Sequence, residues 1–308
     1  MPPGSRTAYL ITSYTLPGQV LRLASVLRRG SPDAWIVVHH DDRRCALDDA
    51  GLEALGVCRV EPPSQVAWGE ASQLMMVLRC LAWLLEFTDF DWVVLLSGQD
   101  YPIRPVPEIE RSLATADVDA FIEAQPCERP AHGPAADEFA GRYHLRWRRA
   151  PGALGSSLLR SAARVMPLLR AREMPSGTWI GSPPWRSPFG PELVCHYGSD
   201  WFSLSRAAVE AVDAFRRERP EVVDYYARTL IPTESFVQTV LANDESMRLS
   251  GTNRRYSIWD SPGMRGPRIL EAHDVDLLVG SGGDFARKFD ETVDAAALDE
   301  IDRRVHSS

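Results

Sequence analysis

The sequence predicts an α/β fold in which a mostly parallel central sheet is flanked by helices. The chain opens with a strand-helix-strand pattern, which is typical of such folds. Further along, residues 92–96 form an unbroken apolar run, as expected for a strand buried on both faces of a parallel sheet. The chain has 308 residues, 44% of them hydrophobic, so it can bury a substantial core within one large domain.

The first half of the chain alternates between strands and helices. We expect strands at residues 9–14, 35–41 and 57–60, where short apolar runs end in polar residues. We expect helices at 17–29 and 68–85, where apolar side chains recur every three or four residues. Nucleotide-binding α/β domains begin in this way, but the sequence has neither a G-x-G-x-x-G nor a Walker loop. It therefore predicts no dinucleotide-binding or P-loop fold.

The second predicted strand ends in the polar run His-His-Asp-Asp, residues 39–42. The loop around Asp41 is a candidate site for a base or a ribose. The run is also a candidate metal site, but neighbouring strand residues point to opposite faces, so at most alternate members can converge on one ion. Because the spacing fits no common pattern of metal ligands, we do not predict a metal here.

The central apolar run ends in Ser97-Gly98-Gln99-Asp100-Tyr101-Pro102. In open α/β sheets, ligands bind beyond the carboxyl ends of the strands, so the Asp100 carboxylate is a candidate for chemistry at this edge. The alternative is a turn in which Asp100 makes only a local hydrogen bond.

The second half of the chain is less regular. A strand is expected at 120–123, after which residues 126–191 are rich in proline, glycine, tryptophan and arginine and show no clear period. We expect this segment to be an irregular insertion, either a loop that binds sugars or anions or a solvated charged linker. Regular elements return with a short strand within 198–206, a helix at 207–215 and a last strand at 253–259.

Two further stretches carry candidate site residues. Glu234 precedes a helix expected at 236–241, so it either interacts with the helix dipole or takes part in chemistry. Near the C terminus, Arg268, Arg287 and Lys288 supply three cations to a chain that is acidic overall, although surface charge is the alternative for each.

Composition argues against several classes of protein. A net charge of −8 and a pI near 5.4 do not suit a nucleic-acid-binding protein. The five cysteines are scattered and form no C-x-x-C pair, so they predict neither a zinc site nor a disulfide framework, and a reduced, cytoplasmic protein is expected. Since no signal-peptide pattern and no apolar run of ~20 residues is present, we expect a soluble protein without a membrane span.

Four motifs, in order along the chain, resemble those of one family. They are Leu96-Ser97-Gly98-Gln99-Asp100-Tyr101-Pro102, Gly198-Ser199-Asp200-Trp201-Phe202, Leu230-Ile231-Pro232-Thr233-Glu234-Ser235-Phe236 and Phe285-Ala286-Arg287-Lys288-Phe289-Asp290. In them the sequence resembles the core-2/I-branching N-acetylglucosaminyltransferases and peptide O-xylosyltransferases of glycosyltransferase family 14, and in particular the xylosyltransferase-like branch. The resemblance covers roughly residues 7–290.

The resemblance implies a GT-A type fold with a Rossmann-like, mostly parallel sheet. It implies transfer of xylose, N-acetylglucosamine or a similar sugar from a UDP-sugar to a carbohydrate, peptide or small-molecule acceptor, with inversion at the anomeric carbon. No divalent metal and no other cofactor is expected. The sequence lacks the membrane anchor, stem and cysteine pattern of the animal enzymes, and residues 126–191 align poorly with them.

The resemblance also implies roles for individual residues. Glu234 matches the general base, and Arg268 and Lys288 match the residues that bind the donor diphosphate. The residues expected around the uridine are Ile11, Thr12, Ser13, His40 and Asp41, and those expected near the donor sugar or the acceptor are Asp100, Ser199, Asp200, Trp201 and Trp259.

Metal-dependent glycosyltransferases use an Asp-x-Asp motif after a strand. The sequence has this pattern at 89–91, 117–119 and 274–276, which precede the central strand, lead into a strand and begin a helix, respectively. None has the position of a metal motif. Side-chain cations would then have to stabilise the departing diphosphate.

We expect a single glycosyltransferase domain over residues 1–308. Its parts are a nucleotide-binding half at about 7–125, an acceptor-side insertion at 126–191, a catalytic and diphosphate-binding half at 192–290, and a C-terminal helix and tail at 291–308. Two alternatives remain open: a glycoside hydrolase with Asp100 and Glu234 as its carboxylate pair, and an inactive protein that binds a UDP-sugar or a glycan.

Overall fold

The structure is a computed structural model that describes residues 6–127, 138–166, 168–260 and 266–306. Its strands are β1 (Thr7–Ser13), β2 (Trp35–His40), β3 (Cys58–Arg59), β4 (Trp92–Ser97), β5 (Asp100–Pro102), β6 (Ala120–Phe121), β7 (Gln125–Pro126), β8 (Arg146–Arg149), β9 (Arg170–Met174), β10 (Gly177–Ser182), β11 (His196–Tyr197), β12 (Ser203–Ser205), β13 (Arg255–Ser257) and β14 (Phe285–Arg287).

The helices lie between these strands and after the last of them. They are α1 (Pro17–Gly30), α2 (Asp49–Ala54), α3 (Ala71–Phe87), α4 (Val106–Ala114), α5 (Glu138–Tyr143), α6 (Gly152–Val165), α7 (Arg206–Glu218), α8 (Pro220–Tyr226), α9 (Phe236–Ala242), α10 (Val275–Gly280) and α11 (Glu291–Val305), with 3₁₀ turns at Pro232–Glu234 and Ala272–Asp274.

The main sheet has six strands in the order β3-β2-β1-β4-β12-β6. β1 runs parallel to β2 and β4, and β2 runs parallel to β3, whereas β12 is antiparallel to both of its neighbours. The predicted α/β fold, with a mostly parallel central sheet flanked by helices, is confirmed. Within the described ranges, no helix is both long enough and apolar enough to cross a membrane.

Helices cover both faces of the main sheet. On one face, Leu95 of β4 packs in a cluster with side chains of α3, α7 and α9. On the other face, Leu96 packs in a second cluster with side chains of α1, α4 and α11. Strand β4 is therefore buried on both faces, which explains its unbroken apolar sequence.

The strand order reverses beside β1. The chain passes from β1 to β2 on one side, while β4 lies on the other side of β1, so a crevice opens at the carboxyl ends of β1 and β4. Gly98 closes the floor of this crevice: its N–H donates to the Thr12 carbonyl (3.0 Å), and a Cβ at this position would lie 2.8 Å from a Val20 methyl group. A residue with a side chain would therefore clash with α1 and crowd Ser13 at the end of β1.

A second sheet, in the order β13-β14-β5, begins at the exit of β4. Its antiparallel β14–β5 pairing sets Arg287 opposite Asp100, so the last sequence motif lies beside the end of the central strand. The predicted C-terminal helix is confirmed as α11.

The prediction that residues 126–191 are irregular was wrong. The described part of this segment contains α5, α6 and an antiparallel sheet in the order β8-β10-β9. Trp147 and Met174 from this segment pack with Leu230 and Ile231 in a small separate core. The strands were not recognised in the sequence because alternate positions of β9 are solvated, so the segment contains few of the apolar residues that indicate a strand.

Helices α2 and α4 were also missed. α4 follows Pro105 and has Pro107 in its first turn, a composition that resembles a loop, yet proline is tolerated in the first turn of a helix.

Candidate functional site

The carboxyl ends of β1 and β2 are joined by side-chain hydrogen bonds. Ser13 Oγ lies 2.7 Å from His40 Nδ1, and His40 Nε2 lies 2.8 Å from the Cys45 carbonyl oxygen. A carbonyl only accepts, so Nε2 carries the proton and the Ser13 hydroxyl donates to Nδ1. These two hydrogen bonds fix the orientation of the His40 ring at the mouth of the crevice.

Asp41 is held by its own loop. Its carboxylate accepts from Arg43 Nε (2.8 Å) and from the Val66 N–H (2.9 Å). The hydrogen bonds from Arg43 outweigh the effect of burial and keep the pKa of Asp41 well below its usual value. The side chain is an ionised acceptor in the loop where a ribose or base was expected.

The 39–42 run does not gather into a metal site. Burial lowers the pKa of His39 to about 4, and its Nε2 accepts from the Ser64 N–H at 2.9 Å. Asp42 pairs instead with Arg59 (2.9 Å). Because each member of the run has a separate partner, the alternative of a metal cluster here is not supported.

The other two residues expected around the uridine differ in access. The Ile11 side chain is fully buried in the core, so only its backbone is available for a ligand. Thr12 donates to the Leu96 carbonyl (3.3 Å) and lines a small cavity beneath the crevice.

Asp100 is fully buried, which argues against the predicted contact of its side chain with a donor sugar or an acceptor. Its carboxylate accepts from the Ser97 N–H and lies 3.6 Å from Arg287 Nε. The Arg287 guanidinium in turn stacks over the Trp201 ring, 4.0 Å from the ring centroid. Asp100 therefore orients Arg287, and through it Trp201.

Asp200 lies against a cavity of about 20 Å³, large enough for one water molecule. Burial raises the pKa of Asp200, against the influence of the nearby Thr233 side chain and of the charges of Arg287 and Arg142, which lower it. The neighbouring residue of the motif, Ser199, is held through its carbonyl by Gln238 Nε2 (2.7 Å). The motif is thus anchored between α9 and the second sheet.

Glu234 ends the 3₁₀ turn that precedes α9. Its Oε2 accepts from Arg142 Nη1 at 2.6 Å, and its side chain remains 24% exposed, compared with 10% for Arg142. Ile231, just before the turn, adopts the left-handed backbone conformation (φ 50°) and its N–H donates to the Gly69 carbonyl (2.8 Å). The carboxylate is therefore held by an ion pair, and its turn is held by the backbone, while the side chain remains partly exposed.

Gly198 brings two motifs together. Its N–H donates to the Glu234 carbonyl (2.9 Å), and a Cβ at this position would lie 2.0 Å from the Glu123 carbonyl oxygen. This close backbone approach requires glycine. It sets the spacing between the Asp200 segment and the Glu234 turn.

The two cations expected at a diphosphate differ in their partners. Arg268 forms a bidentate pair with Asp274 (2.5 and 2.8 Å), which raises the pKa of the guanidinium. Lys288 is half-buried, and its ammonium makes no hydrogen bond or ion pair with the described part of the chain. Burial, followed by repulsion from Arg287, lowers the pKa of Lys288.

Lys288 also stands out in composition. Lysine and arginine together number 34, and Lys288 is the only lysine among them. The Leu270 N–H donates to the Lys288 carbonyl (2.8 Å), so the segment that carries Arg268 lies beside it. Trp259, 55% exposed, follows β13 and donates through Nε1 to Ser257 Oγ (3.1 Å).

The aspartates of the three Asp-x-Asp patterns have other partners. Asp89 and Asp91 contact Arg6 before β4, and Asp117 and Asp119 contact Arg248. In the third pattern, Asp274 pairs with Arg268 and Asp276 pairs with Arg304.

Sequence reasoning missed several features of this region. Arg142 was noted only as part of an arginine-rich segment, and Arg287 was noted as one of three C-terminal cations without a predicted partner. A buried cluster of Cys127, His144 and Cys195, with ligand atoms within 4.8 Å of one another, was not anticipated because its members are far apart in sequence. The pairing of β7 with β11 brings the two cysteines together.

The sequence matches a known protein family over most of its length. A family model described as Core-2/I-Branching enzyme matches residues 8–133 and 171–279, which is more than half of the chain.

Curated relatives carry the name xylosyltransferase. Xylosyltransferase 2 of Rattus norvegicus is 29% identical over 274 residues, which cover 81% of this chain and 28% of that protein. The Homo sapiens protein of the same name is 29% identical over 342 residues, covering 99% and 34%. Xylosyltransferase 1 of Canis lupus familiaris is 27% identical, covering 88% and 28%. The chain spans about a third of the length of these relatives.

Among solved structures, similarity is distant. Glucosyl-3-phosphoglycerate synthase from Mycobacterium tuberculosis, in complex with Mn²⁺, UDP and glucosyl-3-phosphoglycerate, has a TM-score of 0.31 and 16% identity, covering 70% of this chain and 66% of that one. Because the family model matches both halves of the sequence, the chain belongs to the Core-2/I-Branching enzyme family.

Proposed function

We propose that this protein is an inverting, metal-independent glycosyltransferase of GT-A type. It would move a sugar such as xylose or N-acetylglucosamine from UDP to the hydroxyl of a carbohydrate, peptide or small-molecule acceptor. The observation that carries the proposal is the grouping of an accessible carboxylate, Glu234, and a cation with no ion-pair partner among the described residues, Lys288, with the Asp200–Trp201 motif.

Glu234 is the proposed general base. A sugar hydroxyl must lose its proton as its oxygen bonds to the anomeric carbon, and an ionised carboxylate within hydrogen-bond reach accepts that proton. The ion pair with Arg142 favours the ionised form, and exposure of Glu234 leaves it accessible to an acceptor. As the new bond forms, the bond from the anomeric carbon to the diphosphate oxygen breaks, and UDP leaves with the electron pair.

Lys288 and Arg268 are the proposed donor-diphosphate ligands. A leaving diphosphate gains negative charge, and fixed cations in a half-buried site stabilise that charge more strongly than they would in water. Asp274 holds the Arg268 guanidinium in one orientation, whereas the Lys288 ammonium keeps its donors available for a ligand. The ends of β1 and β2, at Thr12, Ser13, His40 and Asp41, are the proposed uridine site, together with the backbone of Ile11.

The hydrolase alternative is less well supported. Such an enzyme needs a general acid for the leaving oxygen in addition to a base or nucleophile. Asp100, the candidate partner of Glu234, is fully buried beside Arg287 and cannot reach a glycosidic oxygen in this conformation. A diphosphate leaving group needs no such acid.

Replacement of the proposed base should lower the rate of sugar transfer without a large change in UDP affinity. We expect Glu234→Gln to lower turnover by ~10²–10⁴ while UDP affinity stays within a few fold, because the amide keeps the shape but cannot accept the proton. Turnover assays with UDP-sugars, alongside calorimetry with UDP, measure both quantities. The matched control is Glu245→Gln, at an exposed position. Wild-type turnover in the Glu234 variant would refute the assignment.

Removal of the only lysine should weaken both binding and turnover. We expect Lys288→Ala to lower UDP affinity and turnover, each by about tenfold or more, because the charge acts on the bound donor and still more on the departing diphosphate. The control is Arg111→Ala, at an exposed position of α4. A change confined to the acceptor's Michaelis constant would assign Lys288 to a different site.

A single lysine also permits a chemical test of the same residue. Pyridoxal phosphate followed by borohydride should inactivate the enzyme, UDP should protect it, and peptide mapping should locate the protected label on Lys288.

Chelation tests metal independence. We expect transfer to persist in excess EDTA, because side-chain cations act where a metal would otherwise lie and the Asp-x-Asp aspartates are engaged elsewhere. Initial rates with and without EDTA, manganese or magnesium measure this. Complete loss with EDTA that manganese or magnesium restores would contradict the proposal.

A further inference from the structure

A compact group of metal-binding side chains lies behind the Glu234 turn. Cys127 follows β7, His144 follows α5, and Cys195 precedes β11, so three separate segments contribute to it. The ligand atoms lie within 4.8 Å of one another, and the three residues are 3%, 8% and 1% exposed, respectively.

Backbone pairing fixes the two cysteines against each other. β7 and β11 are antiparallel, and the Cys127 N–H donates to the Cys195 carbonyl at 2.7 Å, so the two residues lie directly opposite at the end of this ladder. Around a tetrahedral zinc ion, with bonds of ~2.3 Å to sulfur and ~2.0 Å to nitrogen, ligand atoms lie roughly 3.5–3.8 Å apart. A shift of about 1 Å in side-chain positions closes the present spacing to that value.

The histidine is oriented as metal-binding histidines usually are. His144 Nε2 lies 2.8 Å from the Cys127 carbonyl oxygen, which can only accept, so Nε2 carries the proton. Nδ1 then carries the lone pair of the neutral ring. A ring nitrogen that donates to a backbone carbonyl and thereby directs the other nitrogen to a metal is the common arrangement at zinc sites.

The Cys195 sulfur lies among hydrogen-bond donors. The Tyr226 hydroxyl lies 4.0 Å from it, within hydrogen-bonding distance of sulfur. The Ser235 hydroxyl is 3.6 Å from the sulfur, which also puts an oxygen within reach as a fourth ligand.

We propose that Cys127, His144 and Cys195 bind one thiophilic divalent cation, zinc by their choice of donors. Two thiolates and an imidazole suit zinc, whereas calcium and magnesium require oxygen ligands. Binding releases the two thiol protons, and the two thiolates balance the charge of the ion. The site is structural and distinct from the proposed donor site.

An ion at this position also stabilises one wall of the cleft. Ser235 directly follows Glu234, and α5 carries Arg142 two residues before His144. An ion at the cluster therefore fixes both segments that form the Arg142–Glu234 ion pair. It contributes stability to this wall without contacting the donor phosphates, so it is compatible with metal-independent transfer.

Cobalt provides a direct test on the full chain, reduced with a phosphine and freed of metal by a chelator. We expect Co²⁺ to bind with a stoichiometry of one, with a thiolate-to-cobalt absorption band in the near ultraviolet and visible bands of a tetrahedral ion, and Zn²⁺ to abolish both. Zinc should also raise the melting temperature of the wild type.

Serine variants locate the site. We expect Cys127→Ser and Cys195→Ser to weaken cobalt binding at least 100-fold, whereas Cys58→Ser, outside the cluster, should bind as the wild type does. If the serine variants do not fold, the wild-type titration decides alone. The proposal is overturned if the reduced wild type gives no thiolate–cobalt band, if either cluster variant keeps it, or if Cys127 and Cys195 are found as a disulfide whose reduction restores no metal binding. None of these readouts depends on transferase activity.

Discussion

The arrangement of the cleft depends on one buried ion pair. Asp100 is fully enclosed at the exit of the central strand, and a carboxylate in such a position requires a charged partner and hydrogen bonds. Arg287 supplies the charge across the β5–β14 pairing, and the Ser97 N–H supplies a hydrogen bond. Removing either member of a buried pair typically costs about 3–5 kcal/mol, because the other charge is left uncompensated. The pair therefore fixes the second sheet at the carboxyl edge of the first.

From this junction the rest of the site follows in steps. Arg287 stacks on Trp201, which positions the segment that carries Asp200. Lys288 is the next residue after Arg287, so the same pair sets the position of the cation proposed for the donor diphosphate. On the opposite wall, the small core of the 126–191 segment supports the Glu234 turn, since Ile231 belongs to that core. The proposed base and the proposed diphosphate ligand are thus held by two different parts of the fold.

Sequence patterns predicted the main sheet but not the elements that form the walls of the cleft. The apolar run at 92–96 identified β4, because a strand covered on both faces leaves an unbroken pattern. The strands of 126–191 were missed because short antiparallel strands with one solvated face carry few apolar residues. Asp100 was expected near a sugar because strand ends favour ligands, but sequence does not reveal that Arg287, 187 positions away, would enclose it. The Arg142–Glu234 pair was missed for the same reason: contacts between distant segments leave no local period.

The central claim is that side-chain cations, without a metal, form a donor site for a UDP-sugar at the carboxyl edge of the sheet. Calorimetric titration of the full chain in the presence of EDTA, with UDP and with a panel of UDP-sugars, tests this most directly. The account predicts saturable binding of UDP and tighter binding of one UDP-sugar than of the others, with only a modest loss of affinity at higher ionic strength, because contacts in a half-buried site are weakly screened. Absence of binding to UDP and to every UDP-sugar, with binding restored by manganese, would contradict it.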